Sequence, residues 1–233
     1  MTLTHRVTRT ALILLMVLAL GGCKTFGKLF GDDKDKPTET LPVEQMYEEA
    51  KGSMMGGNYG RSALYYQRLV ARFPFGPYAE QAQLELAYVQ YKQSKTEEAT
   101  STIDRFIRTY PTHRNIPYMY YLRGLANSNR DTVFLQKVWR LDASRRDLAT
   151  PMQGYNDFAR VAENYPNSRY AADARQRMIA LRDQFALHEL DTAIYYLRRD
   201  AWVSAASRAR YLLETYPQSS YQYDAVAVLA EAY

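Results

Sequence analysis

The sequence predicts an all-α fold made of repeated helix pairs, because two features recur in register along its 233 residues. Four times an aromatic residue precedes a proline, and twelve residues before each of these prolines lies a small residue. Twelve residues before three of those small residues lies another. Recurrence at such a spacing is typical of solenoids assembled from helix–turn–helix units. The prolines are Pro74, Pro111, Pro166 and Pro217, and the small residues are Ala50, Ser62, Ala87, Ala99, Gly154, Ala193 and Ala205.

The pattern resembles the tetratricopeptide repeat, in which small residues lie where two helices cross and a proline closes the unit. This resemblance implies a superhelix of about five repeats over residues 42–233. The last predicted helix is apolar and lacks the second helix of its pair. Terminal repeats normally present a polar outer face, so we expect a truncated chain. The predicted units are about 42–76, 77–113, 114–168, 169–219 and a partial unit at 220–233.

The first 22 residues have the character of an export signal. Residues 1–10 contain two arginines and no acid, and residues 11–20, "ALILLMVLAL", form an uninterrupted apolar run. This run is half as long as the roughly 20 apolar residues that a membrane-spanning helix needs. We therefore predict a secretory signal peptide over residues 1–22 rather than a membrane anchor.

Cys23 is the only cysteine, so it cannot form a disulfide within the chain. The stretch "LGGC" that ends at Cys23 resembles the lipobox of bacterial lipoproteins. The resemblance implies that the Cys23 thiol receives diacylglycerol, becomes the new N-terminus and is then acylated on its amine. Lys24 follows the cysteine, where an inner-membrane retention signal would have aspartate, so the resemblance implies the periplasmic face of a Gram-negative outer membrane. We expect no other cofactor.

A flexible tether is predicted after the lipidated cysteine, over residues 23–41. This stretch is rich in glycine, lysine, aspartate and proline and poor in large apolar residues, so it cannot bury enough surface to fold. Signal cleavage would also remove Arg6 and Arg9 and lower the formal net charge from +5 to +3. Such a small excess, without clustered lysine and arginine on a motif, does not indicate nucleic-acid binding.

The second helices of the units carry a one-sided apolar stripe at helical spacing. Ala99, Ile103 and Phe106 form this stripe in the second unit. In the fourth unit, the stripe predicted to face the core is Trp202, Ala205, Ala209 and Leu212.

The third unit is longer than the others and contains an insertion predicted at residues 130–149. Insertions in repeat arrays map to loops on one face, which is often a binding face. Trp139 within it is therefore a candidate partner contact, although a helix extension that merely packs is an equal alternative.

No arrangement of residues indicates catalysis or a metal site. His113 and His188 are the only histidines outside the signal, and neither belongs to an H-E-x-x-H motif or another ligand cluster. The G-x-S-x-G nucleophile motif is also missing from the sequence. We predict a protein that is not an enzyme.

Several stretches together resemble the lipoprotein family of the outer-membrane β-barrel assembly machinery, over residues 11–233. They include "RFPFGPYAEQAQLELAYVQYKQ", "IDRFIRTYPTHRNI" and "RRDAWVSAASRARYLLETYP". The resemblance implies docking to the periplasmic POTRA domains of the barrel subunit BamA. It also implies that a sister lipoprotein such as BamC, or the C-terminal segment of an unfolded outer-membrane protein, binds the N-terminal repeats. Another periplasmic repeat lipoprotein, such as a secretin or pilus pilotin or a peptidoglycan-linked adaptor, is the alternative.

Two surfaces are candidates for these contacts. In "RFPFGPY", prolines and a glycine form a stiff turn that clusters Phe73, Phe75 and Tyr78, and such preorganised aromatics can accept an extended peptide at a small ordering cost. Tyr78 begins a helix face and is expected to be core. Arg208 lies off the apolar stripe of its helix, so its guanidinium is expected to point away from the core. The resemblance implies that this half of the array meets the BamA-like subunit, where the guanidinium would bind a carboxylate. The alternative is a solvated arginine or one paired with Glu214 or Asp200.

Overall fold

The structure, a computed structural model, describes residues 41–128 and 148–233. Within these two ranges the chain forms nine α-helices and no strand, which confirms the predicted all-α class. The predicted signal peptide, Cys23, the tether up to residue 40, Trp139 and all but the last two residues of the predicted insertion lie outside the described residues. The helices are α1 Val43–Met55, α2 Tyr59–Arg72, α3 Pro77–Lys92, α4 Thr96–Thr109, α5 Ile116–Ser128, α6 Ala149–Asn164, α7 Ala171–Leu197, α8 Trp202–Thr215 and α9 Gln222–Ala232.

The helices of the repeat domain pack in chain order. Each helix contacts the next one along the chain. Three further contacts skip one helix, namely α1 with α3, α3 with α5, and α7 with α9. A helix that contacts both its own partner and the first helix of a neighbouring pair needs apolar side chains on two faces. Stacking of this kind lets each repeat bury its apolar surface only against its neighbours.

The small residues of the repeat pattern are buried where helices cross. Two of the glycines lie at the crossing of α5 and α6, where a Cβ atom added to Gly154 would lie 3.0 Å from the carbonyl oxygen of Gly124. A Cβ atom added to Gly124 would lie 2.7 Å from the buried ring of Phe158. All seven predicted positions are buried, namely Ala50, Ser62, Ala87, Ala99, Gly154, Ala193 and Ala205.

The aromatic–proline dipeptides end four helices in the same way. The residue before a proline is excluded from the helical conformation by contact with the proline ring, so the helix stops there. Each aromatic residue still donates its backbone N–H to the carbonyl four residues earlier, as Tyr110 does to Phe106. The φ angles are −125° at Phe73, −127° at Tyr110, −132° at Tyr165 and −123° at Tyr216.

Trp202 departs from its prediction. Ala205, Ala209 and Leu212 are buried as expected, but Trp202 remains 43% exposed. It is the first residue of α8. A side chain in the first turn lies at the edge of the helix pair, so neighbouring helices cover only part of its ring.

Candidate partner-binding surfaces

The aromatic turn between α2 and α3 presents its three aromatic residues to different degrees. Gly76 adopts φ +99°, a backbone conformation that favours glycine, and Pro77 begins α3. Phe75, at the tip, is 87% exposed. Phe73 is half-buried, with the guanidinium of Arg72 4.9 Å from its ring centre. Tyr78 is 36% exposed, because its ring packs edge-on against Tyr47 of α1, with the ring centres 5.5 Å apart. Tyr78 is thus neither fully core, as expected, nor freely presented.

A tyrosine–carboxylate cluster lies beside this turn and joins α1, α2 and α3. Glu85 accepts hydrogen bonds from Tyr47 at 3.0 Å, from the amide of Gln81 at 2.7 Å and from the hydroxyl of Tyr66. Burial and, secondarily, the hydrogen bond and charge of the neighbouring Glu85 raise the pKa of Tyr66 and of Tyr47 well above the usual range. Both phenols therefore stay protonated donors, and the cluster fixes the three helices that support the aromatic turn.

Arg208 on α8 is not a freely solvated side chain. Its Nη1 atom lies 3.1 Å from Oε2 of Glu189 on α7, so the partner is Glu189 and not the Glu214 or Asp200 considered from the sequence. The Glu189 side chain is only 11% exposed, whereas that of Arg208 is 47% exposed. The buried carboxylate holds one edge of the guanidinium. The Nε and Nη2 groups of Arg208 have no hydrogen-bond partner among the described residues and remain available to a second carboxylate.

Two tyrosines accompany Arg208. Tyr211, one turn further along α8, is 46% exposed and packs edge-on against Tyr216, with the ring centres 6.4 Å apart. Burial first, and then the nearby Tyr211 and Glu189, raise the pKa of Tyr216 to about 12. The two tyrosines add apolar area beside the charged group, the mixture typical of binding hot spots.

A partly buried ion cluster joins α4, α5 and α6, and sequence reasoning missed it. Arg123 donates from Nε and Nη2 to the two oxygens of Asp157 at 2.9 and 2.6 Å, and from Nη1 to Asp104. Burial alone would lower the pKa of Arg123, but the bonds and charges of Asp157 and Asp104 outweigh it and raise the pKa. The available signal was Asp157 itself, a charged residue that lies between Gly154 and Val161 on the buried stripe of its helix.

In residues 41–128 and 148–233, no group of His, Cys, Asp and Glu side chains is arranged to hold a metal ion. None of the helices in those ranges is both long enough and apolar enough to cross a membrane. The nine described helices define a helical-repeat protein.

Comparison with known proteins identifies the family. The model of a family named YfiO and described as "Outer membrane lipoprotein" matches residues 39–233. A protein of Xylella fastidiosa strain 9a5c called outer membrane protein assembly factor BamD is 56% identical over 223 residues, which cover 96% of this chain and 74% of the relative. BamD of Neisseria meningitidis strain MC58 is 40% identical over 217 residues, covering 93% and 80% of the two chains. BamD of Vibrio cholerae is 35% identical over 215 residues, covering 92% and 89%. The chain belongs to this YfiO/BamD family of outer membrane lipoproteins.

Membership of the family bears on three predictions from the sequence. The resemblance to the assembly lipoproteins is confirmed. The relatives are named as assembly factors rather than as enzymes, which confirms the prediction of a non-enzymatic protein. The family also associates the chain with the outer membrane of Gram-negative bacteria.

Proposed function

We propose that this chain is an outer membrane protein assembly factor, a lipid-anchored scaffold that faces the periplasm and docks to the POTRA region of a BamA-like barrel subunit. The observation that carries the proposal is the similarity to relatives named BamD, which extends over 96% of the chain for the protein of Xylella fastidiosa. The scaffold holds its partners while outer-membrane β-barrel proteins are assembled and inserted. Its own part is binding, so the surfaces of the repeats carry the activity.

The Arg208 surface is the proposed contact with the barrel subunit. Glu189 fixes the guanidinium in place, which lowers the entropy that a partner must remove on binding. The free Nε–Nη2 edge suits a two-pronged bond with a carboxylate of the POTRA region. Tyr211 lies beside it as an exposed aromatic contact. Trp139 of the insertion is a second proposed contact.

The double variant Arg208→Gln/Glu189→Gln is expected to weaken binding of the barrel subunit at least about tenfold. It removes the guanidinium together with its buried partner, so no unpaired charge is left in the fold and the melting temperature stays near that of the wild type. Arg208→Glu is a poorer test, because it places two carboxylates side by side. Binding is measured by titrating the purified full chain with the detergent-solubilised barrel subunit.

The matched control is Arg210→Gln, an exposed arginine on the same helix that bonds to the hydroxyl of Tyr233. Its affinity for the barrel subunit is expected to equal that of the wild type. Undiminished binding of the double variant would move the contact away from Arg208 and make the insertion around Trp139 the next surface to test.

The aromatic turn is the proposed site for a C-terminal segment of an unfolded outer-membrane protein, or for a sister lipoprotein. Phe75 offers nearly its whole ring to a partner, while Phe73 and Tyr78 offer part of theirs. The Glu85 cluster holds the supporting helices in place. An exposed ring on a turn whose backbone is restricted can bury apolar area at a small ordering cost.

Phe75→Ser is expected to weaken binding of a synthetic ten-residue peptide from the C-terminus of a barrel protein by about tenfold. Removing an 87% exposed ring costs the fold almost nothing. Fluorescence anisotropy of the labelled peptide measures the affinity. The control is Met55→Ser, a 78% exposed apolar residue at the opposite end of the α1–α2 pair. Equal affinities for both variants would exclude the aromatic turn as the peptide site.

The lipid anchor is proposed at Cys23, as the lipobox resemblance implies. Two or more acyl chains give stable membrane attachment, where a single chain is marginal. The predicted tether would keep the repeats close to the membrane.

Cys23→Ser protein is expected to leave the outer-membrane fraction, while wild-type protein stays in it. Intact mass spectrometry of the membrane-extracted wild type is expected to show the loss of residues 1–22 and the gain of about three acyl chains. Full retention of the serine variant in sedimented outer membranes would contradict the anchor.

A further inference from the structure

Exposed arginines of the first two helix pairs are concentrated around the aromatic–proline turns. Residues 68–78 contain two arginines and no acid, and residues 105–115 contain three arginines and no acid. The corresponding stretches of the later pairs differ, because residues 160–170 contain a glutamate beside two arginines and residues 211–221 contain a glutamate and no arginine. The five exposed arginines of the first two turns form what we call the basic end, namely Arg68, Arg72, Arg105, Arg108 and Arg114.

Side-chain contacts place the basic end beside the start of α1. The Nε2 atom of His113, in the α4–α5 turn, lies 3.9 Å from Oε2 of Glu80 in the first turn of α3. Tyr78, also in that first turn, packs against Tyr47 in the second turn of α1, with the ring centres 5.5 Å apart. The basic end therefore lies where the predicted tether, residues 23–41, joins the repeats.

The helix dipole does not account for this distribution of charge. A cation is favourable near the C-terminus of a helix, and Arg72 and Arg108 lie in the last turns of α2 and α4. The last turns of α6 and α8, however, contain no basic residue and carry Glu163 and Glu214 instead. The positive charge thus follows the position of the tether and not the polarity of the helices, which indicates an anionic partner near the tether.

We propose that the basic end binds the headgroups of anionic phospholipids in the membrane to which Cys23 is proposed to anchor the chain. The planar guanidinium of arginine matches a phosphate group with two parallel hydrogen bonds. Each basic side chain close to an anionic leaflet strengthens binding about fivefold. The tether contains four lysines and four acids, so the attraction acts on the folded repeats. The contact orients the anchored repeats with the start of α1 toward the membrane.

The test measures how the full mature chain with Cys23→Ser partitions onto sucrose-loaded vesicles in a sedimentation assay. This substitution removes the lipid and leaves every arginine in place. The vesicles contain either phosphatidylglycerol and phosphatidylcholine or phosphatidylcholine alone, at millimolar lipid. We expect at least about tenfold stronger binding to the anionic vesicles. Binding is expected to be lost when added salt shortens the Debye length from about 10 Å to about 3 Å. Such weak binding dissociates on dilution, so it does not replace the lipid anchor.

The triple variant Arg105→Gln/Arg108→Gln/Arg114→Gln is expected to bind the anionic vesicles at least about tenfold more weakly than its parent. The matched control removes the same charge from exposed positions on α7 and α8 and is expected to bind as the parent does. It is Arg175→Gln/Arg199→Gln/Arg210→Gln. Melting temperatures of both triple variants are expected to match that of the parent.

Two outcomes would overturn the proposal. In one, phosphatidylglycerol does not strengthen binding of the parent chain. In the other, both triple variants weaken binding equally, so that net charge and not the basic end governs it. Neither outcome alters the binding expected at Arg208, which the barrel-subunit titration measures separately.

Discussion

Replacing Arg123 with methionine is expected to lower the free energy of unfolding by about 3–5 kcal/mol, the largest effect of any single substitution considered. Arg123 satisfies both oxygens of Asp157, whose side chain is 5% exposed. Without the guanidinium, a carboxylate that is almost fully buried loses its partner and is left as an unpaired charge between α5 and α6. Urea denaturation followed by circular dichroism measures the change.

Two matched variants separate the buried bond from the exposed one. Asp104 is 39% exposed, and Asp104→Asn keeps an oxygen there that accepts from Arg123. This change is expected to lower the free energy of unfolding by no more than about 1 kcal/mol. The double variant Arg123→Met/Asp157→Leu removes both buried charges and is expected to recover most of the loss. If the free energy of unfolding of Arg123→Met alone lies within about 1 kcal/mol of the wild-type value, the ion pair does not support the α5–α6 contact.

Gly124→Val is expected to destabilise the chain by about 3 kcal/mol, the upper end of the usual cost of overpacking. A Cβ atom at this position would lie 2.7 Å from the ring of Phe158, which is fully buried and cannot move aside. The clash outweighs the gain from replacing a glycine within a helix. Thermal and urea denaturation are the measurements.

Gly52→Val in α1 is the control for this substitution. No atom lies within 4 Å of a Cβ atom added to Gly52, so the change is expected to be neutral or slightly stabilising. Similar losses of stability for Gly52→Val and Gly124→Val would indicate that valine itself disfavours the helices. The close contact between α5 and α6 would then have no special role.

The repeat geometry was predictable from sequence because it depends on local spacing. A small residue where two helices cross and a proline after an aromatic residue act within one helix pair, so their positions are visible along the chain. The seven small positions are buried accordingly. Trp202 was predicted wrongly, since helical spacing gives the face of a residue but not how far the neighbouring helices extend over the first turn.

The surfaces were less predictable, because they depend on side chains that meet across helices. The sequence places Arg208 off the apolar stripe, but Glu189 is 19 residues away and belongs to another helix. The Arg123 cluster joins residues separated by 19 and 34 positions in the same manner. No local pattern encodes such pairings. The exposure of Phe75 could be anticipated, since the flanking prolines and glycine prevent a helix that would bury it.

The central property proposed for this chain is that it assists assembly of outer-membrane β-barrel proteins. The most direct measurement is depletion of the chain in its own bacterium, followed by the amount of folded, heat-modifiable barrel protein in the outer membrane. We expect folded barrel protein to fall as the chain is depleted and to return when the wild-type chain, but not the Arg208→Gln/Glu189→Gln variant, is supplied. Unchanged amounts of folded barrel protein after complete depletion would contradict the proposed function.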